Sequence, residues 1–179
     1  MKRSEMFQHS FFGKISFSVA KAGKEEYTLS LTEKIRKRKV RSMKLIADEQ
    51  ILFESPDPAG IYCYTPAILV GENRRLIAAV DLGGPGTAAL EGPRSRSGDY
   101  QAGNQIRIFL SDDGGESWRE SSSRLPMMHE TLFRTSSGLW MLGHSGALLI
   151  SRSTDNGESW SSPAVLESEH HHHQSCGRV

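Results

Sequence analysis

The side chains best suited to chemistry are acidic, basic and imidazole groups spread between residues 81 and 173. A carboxylate can transfer protons, a guanidinium can grip an anion through two hydrogen bonds, and imidazoles can hold a metal where they converge. The candidates are Asp81, Arg94, Arg96, Asp99, His129, His144 and the run from His170 to His173. They are far apart in sequence, so only the fold can bring them together.

An internal repeat marks the elements that must position these groups. The sequence SDDGGESW occupies residues 111–118 and STDNGESW occupies residues 153–160, so the copies are 42 residues apart (153 − 111 = 42). In each copy the Asp can accept turn hydrogen bonds and the Gly can adopt a positive φ. The period fits one four-stranded propeller blade of about 40–50 residues. We interpret the turns as structural, so Asp113 and Asp155 are not catalytic candidates.

Short β runs separated by turn residues surround the two copies, which favours an antiparallel meander. The predicted strands are Leu45–Phe53, Tyr62–Val70, Arg75–Leu82, Gln105–Ser111, Trp118–Ser121, Glu130–Thr135, Leu139–Gly143, Ala147–Ser153 and Trp160–Leu166. Residues 66–80 resemble residues 129–143 with an offset of 63 (139 − 76 = 63). The difference from 42 predicts a 21-residue insertion between the second and third strands, in the loop from Gly83 to about Asn104.

The meander separates the repeated turns from the polar candidates. Connections in an up-and-down sheet alternate between its two ends, and the repeated turns join the third and fourth strands. The insertion, which carries Arg94, Arg96 and Asp99, therefore belongs at the opposite end. His129, entering the second repeat, and His144, following its second strand, are expected at that end too. This convergence predicts a ligand site.

The two Ser-x-Asp-x-Gly-x-Ser-Trp turns resemble the Asp boxes, or bacterial neuraminidase repeats, of the sialidase superfamily. The resemblance implies an all-β fold: a partial six-bladed β-propeller with about two four-stranded antiparallel blades and the start of a third. It implies a fragment, inactive alone, of an exo-α-sialidase-like glycoside hydrolase that cleaves a terminal sugar by acid/base catalysis. The alternatives are a non-catalytic Asp-box propeller that binds glycans or proteins, and a degenerate remnant.

The resemblance also assigns roles to individual residues. Asp99 is the best positional match to the family's acid/base Asp, and Asp81 is a second candidate. An exposed turn Asp in residues 97–100 is the competing interpretation of Asp99. The family's first substrate-binding arginine lies two residues before a Pro, where this chain has Tyr64, which argues against strict sialic acid specificity. The expected substrate-binding residues are Arg94, Arg96, His129, His144 and His173.

Partners and cofactors follow from the same considerations. We predict a carbohydrate partner and no cofactor; the histidines could bind a neutral sugar or, less favoured, a metal. A net charge of +1 gives no indication of nucleic acid, and no apolar stretch approaches the roughly 18 residues of a membrane span. Self-association is expected through exposed strand edges of an incomplete ring.

The first 43 residues differ from the rest. They are basic, with six Lys and Arg residues in 34–41, and residues 25–38 could form a short helix. We predict a poorly ordered or short helical extension over 1–43 and the incomplete propeller over 44–179. The basic run could bind nucleic acid, but a solvated face or leader is favoured. The N-terminus is a poor signal peptide, so localisation stays open.

Overall fold

The computed structural model describes residues 4–11, 14–21, 50–95 and 102–169, the first two ranges by their backbone alone. These residues are all-β, apart from two short 3₁₀ turns. The strands are β1 Ser4–Phe11, β2 Lys14–Lys21, β3 Gln50–Glu54, β4 Tyr62–Val70, β5 Leu76–Gly83, β6 Gln105–Ser111, β7 Arg119–Leu125, β8 Met128–Thr135, β9 Gly138–Ser145, β10 Ala147–Ser153 and β11 Ala164–Glu167. Within the described ranges, no helix is long and apolar enough to cross a membrane.

The strands form three antiparallel sheets. Sheet 1 has the order β4-β5-β6-β7, sheet 2 the order β8-β9-β10-β11, and a three-stranded sheet the order β1-β2-β3. Sheets 1 and 2 are four-stranded meanders, as the sequence predicts. The ranges predicted for β4, β6 and β10 coincide with the observed ones.

The outer strands begin later than predicted. β7 starts at Arg119 and β11 at Ala164, whereas the predicted strands start at Trp118 and Trp160. In both copies the indole nitrogen of the tryptophan donates to a carbonyl in the preceding turn: Trp118 to Gly115 at 3.3 Å and Trp160 to Gly157 at 3.2 Å. Each tryptophan therefore closes its turn instead of opening the next strand.

The register of the sheets confirms the insertion. Leu76 pairs with Ser111 in sheet 1, 35 residues apart (111 − 76), and Leu139 pairs with Ser153 in sheet 2, 14 residues apart (153 − 139). The difference is 21 residues. Twenty of them fall between β5 and β6, since residues 84–104 join those strands whereas Gly146 alone joins β9 and β10, and the remaining one lengthens β5 by Gly83.

Sheet 1 is the centre of the described fold, because both of its faces are covered. Every residue of β5 is buried. One face packs on sheet 2 through a cluster formed by Ile77, Ala79, Ile106, Ile108, Leu110, Leu125, Met127, Leu132, Leu139, Met141 and Leu149. The other face, with Ala78, Val80, Leu82 and Phe109, packs against Leu52 and Phe53 of β3. This layering brings the ends of β5 and β8 together.

The N-terminal segment contains strands where the sequence predicts a poorly ordered or short helical extension. β1 and β2 pair from Ser4 with Lys21 to Phe11 with Lys14, and β2 continues onto β3. Strand formation there depends on cross-strand partners more than on an alternating pattern, which explains why the sequence did not reveal it. The predicted helix at 25–38 lies outside the described residues, and the boundary at residue 43 stays a prediction.

Candidate functional site

Both four-stranded sheets carry a bulge near the start of their first strand. In β4 the register shifts between Tyr64 and Ala67, and Thr65 has φ 30°. In β8 it shifts between Met128 and Thr131, and His129 has φ 54°. Positive φ is uncommon for residues other than glycine, and a bulge redirects the side chains around it. The second bulge places His129 and Glu130 against β5 of sheet 1.

Two buried carboxyl groups meet at this junction. Asp81 of β5 and Glu130 of β8 are both 0% exposed. Asp81 Oδ1 accepts a hydrogen bond from Asn104 Nδ2 at 2.8 Å, and Oδ2 accepts one from the backbone N–H of His129 at 3.2 Å. Asp81 therefore connects the end of the insertion to the first strand of sheet 2.

Glu130 is less well satisfied than Asp81. Neither of its oxygens accepts a hydrogen bond of normal geometry from the described residues, although the Thr65 hydroxyl lies close enough to favour the ionised form weakly. Burial, and then the charge of Asp81, raise the pKa of Glu130 well above its ordinary value. Both effects favour the protonated form of this carboxyl.

The pKa of Asp81 is raised to about 7. Burial is the main cause, and the hydrogen bonds from Asn104 and His129 oppose it because they stabilise the carboxylate. Burial, followed by the charge of Asp81, also raises the pKa of the nearby Cys63 thiol to about 11. The carboxyl of Asp81 can therefore change its protonation state near neutral pH, whereas the thiol stays protonated.

Two histidines adjoin the carboxyl pair. His129 Nδ1 lies 3.0 Å from His144 Nε2, and the rings meet edge to face with centroids 5.0 Å apart. At that distance one ring nitrogen must donate to the other. His144 is buried, whereas His129 is partly exposed. His129 is thus the member of the pair that a ligand can reach from solvent.

The visible part of the insertion folds back onto β6. The Thr87 hydroxyl donates to the carbonyl of Gly103, and Gln105 Nε2 donates to the carbonyls of Glu91 and Pro93. The backbone N–H of Asn104 donates to Ser95 Oγ. These bonds fix both ends of the loop and hold Asn104 against Asp81.

The structure brings together only some of the predicted site residues. His129 and His144 are in contact at the predicted end, beside Asp81. Arg94 donates instead to the carbonyl of Leu90 in its own loop, at 2.6 Å. Three others, Arg96, Asp99 and His173, lie outside the described residues.

Glu130 and Asn104 belong to the junction but were missed as site residues. A signal for Glu130 was present in the sequence, since it is an acidic residue that begins an apolar run predicted as a strand. Nothing comparable distinguishes Asn104 from the other polar residues of its loop. Within the described residues, no group of three or more His, Cys, Asp or Glu side chains could hold a metal ion.

The repeated turns lie at the other end of the sheets, and their hydrogen bonds match. Asp113 Oδ1 accepts from Ser111 Oγ and Ser117 N, and Asp155 Oδ1 accepts from Ser153 Oγ and Ser159 N, all at 2.7–2.9 Å. Both glycines have positive φ, 99° at Gly115 and 90° at Gly157. Hydrogen bonds from Ser117 and Ser111 hold the pKa of Asp113 below its ordinary value. These contacts agree with a structural role.

Comparison with known proteins gives only distant similarity. No protein-family model matches the chain, and no curated protein matches it. The chain is similar to a structure of Trypanosoma rangeli sialidase at 16% identity, covering 88% of this chain and 21% of that one, with a TM-score of 0.43. For that sialidase in complex with sialic acid, the values are 14% identity, 89% and 28% coverage and a TM-score of 0.44. The chain thus spans roughly a quarter of the length of these structures.

Proposed function

We propose that this chain is part of a sialidase-like exo-glycoside hydrolase, and that its polar end contributes to the sugar site. The polar end is the junction formed by Asp81, Asn104, His129 and His144, together with the insertion. The supporting observation is that the end of the insertion and the two histidines meet at one end of the sheets, and the two repeated turns lie at the other end. The Asp-box identity of those turns and their place in a propeller are parts of the same proposal.

Asp81 has a suitable pKa for a general acid but an unsuitable position. It is 0% exposed, and both of its oxygens already accept hydrogen bonds within the protein. A group that protonates a substrate must reach it at hydrogen-bonding distance. We therefore assign Asp81 a positioning role, in which it orients Asn104 and the bulge of His129.

Asp99 is the proposed general acid, because it belongs to the loop that Asp81 and Asn104 anchor. A carboxylic acid there would donate its proton to the glycosidic oxygen as the bond to the sugar breaks, and the resulting carboxylate would then take a proton from the attacking water. His129, which is partly exposed, is proposed to contact sugar hydroxyls. Arg94, Arg96, His144 and His173 remain proposed contributors to substrate binding.

The test uses the natural protein that contains this chain, assayed on aryl glycosides of sialic acid and of neutral sugars. Asp99→Asn is expected to lower kcat by about 10²–10⁴-fold, the usual contribution of a general acid. His129→Ala should chiefly raise KM. Glu116→Gln removes an exposed carboxylate from the opposite end and serves as the matched control. Unchanged turnover by Asp99→Asn would remove Asp99 from the mechanism.

A non-catalytic propeller that binds glycans is the second candidate. The observation favouring it is Tyr64, at the position where the resemblance predicts an arginine that grips the substrate carboxylate. Glycan binding that is weakened by His129→Ala, in a protein that hydrolyses none of the glycosides, would select this function. If every polar-end variant kept both its glycan binding and its turnover, both candidate functions would be contradicted.

A further inference from the structure

Two tyrosines of β4 lie at the polar end, beside Asp81. Tyr62 and Tyr64, which we call the tyrosine pair, meet edge to face with ring centroids 6.2 Å apart. Tyr64 pairs with Asp81 across the strands, and residues directly opposite each other in an antiparallel pair share one face of the sheet. The side chain of Tyr64 therefore lies on the face where Asp81 accepts the hydrogen bond from His129.

Two glycines where β5 ends leave room for the tyrosine pair. A Cβ atom on Gly83 would lie 2.7 Å from both Tyr64 Cε2 and Asn104 Nδ2, so the ring edge and the amide meet beside this glycine. A Cβ atom on Gly84 would lie 2.9 Å from Tyr62 Cδ2. A larger residue at either position would displace a ring, because non-bonded carbon atoms pack at about 3.5–4.0 Å.

The tyrosine pair adjoins groups that can hydrogen-bond to hydroxyls. The amide of Asn104 has two N–H donors and a carbonyl acceptor, and Asp81 accepts from one of the N–H groups. Tyr64 and His129 are both partly exposed, so a ligand can reach them from solvent. An aromatic surface next to a few polar side chains suits a sugar ring, whose C–H groups form apolar patches between its hydroxyls.

The charges near the tyrosine pair disfavour an anionic ligand. A substrate carboxylate is gripped best by a guanidinium, which donates two parallel hydrogen bonds. Arg94 is the one guanidinium in the described parts of the insertion, residues 84–95 and 102–104, and it donates to the carbonyl of Leu90 instead. The buried carboxyls of Asp81 and Glu130 lie at the same junction, and any charge on them repels an anion. The described residues therefore fit an uncharged sugar better than an acidic one.

We propose that Tyr64 is a specificity-determining residue that selects a neutral pyranose over a sialic acid. Its ring stacks on a C–H face of the sugar, while Asn104 and His129 hydrogen-bond to the hydroxyls. Tyr62 keeps the ring of Tyr64 in place through the edge-to-face contact. The inference rests on the proposed function and names the class of sugar that the same site takes.

The test uses the natural protein that contains this chain, with p-nitrophenyl glycosides of neutral hexoses and of sialic acid. The native protein should hydrolyse a neutral hexoside with a higher kcat/KM than the sialoside. Tyr64→Leu should raise KM for that hexoside about tenfold with little change in kcat, because the stacked ring binds the sugar equally in the ground state and the transition state. If the protein binds these glycosides without hydrolysing them, dissociation constants replace KM in every comparison.

Two further variants separate stacking from a general effect of the substitution. Tyr64→Phe keeps the ring and should stay within about twofold of the native KM. Phe133→Leu is the matched control, because it removes a partly exposed aromatic ring near the far end of β8. It should leave KM for the hexoside unchanged.

A native protein that prefers the sialoside would overturn the inference and leave the proposed function standing, and this comparison needs no variant. An unchanged KM in Tyr64→Leu would overturn it too. Partial misfolding of that variant does not obscure the result, since KM is independent of the amount of folded protein. If the native protein neither hydrolyses nor binds any of the glycosides, the proposed function itself is wrong and the inference falls with it.

Discussion

At the scale of single residues, the junction between the sheets contains two buried carboxyl groups but too few hydrogen-bond donors to stabilise both as carboxylates. Asp81 is fully buried and accepts two hydrogen bonds, whereas Glu130 is fully buried without one of normal geometry. Two neighbouring buried carboxylates raise each other's proton affinity. The folded state is therefore most stable when at least one of the two carboxyls is protonated.

Stability should consequently fall as pH rises. Both carboxyls bind protons more tightly in the folded chain than in the unfolded chain, where Asp and Glu have pKa values of about 3.9 and 4.3. The contribution is fully present below about pH 4 and is lost as pH rises through about 7, the pKa of Asp81. Urea unfolding at pH 5 and pH 8 should show a lower free energy of unfolding at pH 8.

Glu130→Gln tests the residue responsible. The amide mimics the protonated acid, so the gain in unfolding free energy of the variant over the native protein should be larger at pH 8 than at pH 5. Glu116→Gln, at an exposed turn position, should change neither value. A pH profile unaltered by Glu130→Gln would mean that this carboxyl is satisfied as an anion in the folded protein.

At the scale of elements, the second repeated turn fastens sheet 2 to sheet 1. Asn156 Oδ1 accepts from the Glu72 amide at 2.8 Å, and Arg75 donates to Glu158 Oε1 at 2.7 Å. Ser121 Oγ adds a hydrogen bond to the carbonyl of Glu158 at 3.0 Å. The turn centred on Asp113 has the same internal bonds, but it belongs to sheet 1 itself.

Ser153→Ala should therefore lower the free energy of unfolding more than Ser111→Ala, the equivalent change in the first turn. Ser153 Oγ donates to Asp155 and accepts from the Gly157 amide, which the substitution would leave without its partner. The expected loss of unfolding free energy is about 1–3 kcal/mol. Ser111→Ala should lose less, since its turn makes fewer contacts between sheets. Thr154→Ala, at an exposed position, is the control; equal losses at all three positions would contradict the argument.

The ion pair across the same interface should contribute little. Arg75 pairs with Glu158 of the second turn at 2.7 Å and with Asp112 of its own sheet at 2.6 Å, and these two carboxylate side chains are 42% and 58% exposed. Exposed pairs typically contribute about 0.2–1 kcal/mol and are screened by salt. A double-mutant cycle of Arg75→Gln and Glu158→Gln should give a coupling energy in that range at low salt and less at 1 M salt. A coupling that salt does not reduce would show that water is excluded from the pair.

The elements were predictable from sequence to different degrees. The spacing of Ser111 and Ser153 in the repeated turns shows which strand positions of sheet 1 correspond to which positions of sheet 2. The bulges at Thr65 and His129 were not predictable, since positive φ is uncommon for any residue other than glycine and no turn motif marks either position. The meeting of Asp81 with Glu130 depends on those bulges and on sheet packing, which no local pattern encodes.

At the scale of the whole molecule, the described fold is a layered stack with sheet 1 in the middle. Sheet 1 is covered on both faces, while sheet 2 has one covered face and a second face whose apolar side chains join neither packed cluster of the described residues. At the polar end, Asp81 of sheet 1 accepts a hydrogen bond from the backbone N–H of His129 of sheet 2. The geometry of that end therefore depends on how firmly the two sheets are held together.

Two adjacent residues on opposite faces of sheet 2 allow the contribution of each face to stability to be compared. Met141 is 0% exposed in the core between the sheets, and Leu142 is partly exposed on the other face of sheet 2. Met141→Ala should lower the free energy of unfolding by about 2–5 kcal/mol, because it leaves a cavity in a packed core. Leu142→Ala should cost less than about 1.5 kcal/mol, since a partly exposed side chain loses less burial. Chemical denaturation of both variants measures the difference.

The same pair tests whether the sheets behave as one unit. If sheets 1 and 2 unfold together, Met141→Ala will lower the denaturation midpoint reported by probes in either sheet by the same amount, with an unchanged slope. A shift confined to probes in sheet 2 would show that sheet 1 is stable without it. Equal losses from Met141→Ala and Leu142→Ala would show instead that the face of sheet 2 carrying Leu142 is covered in solution.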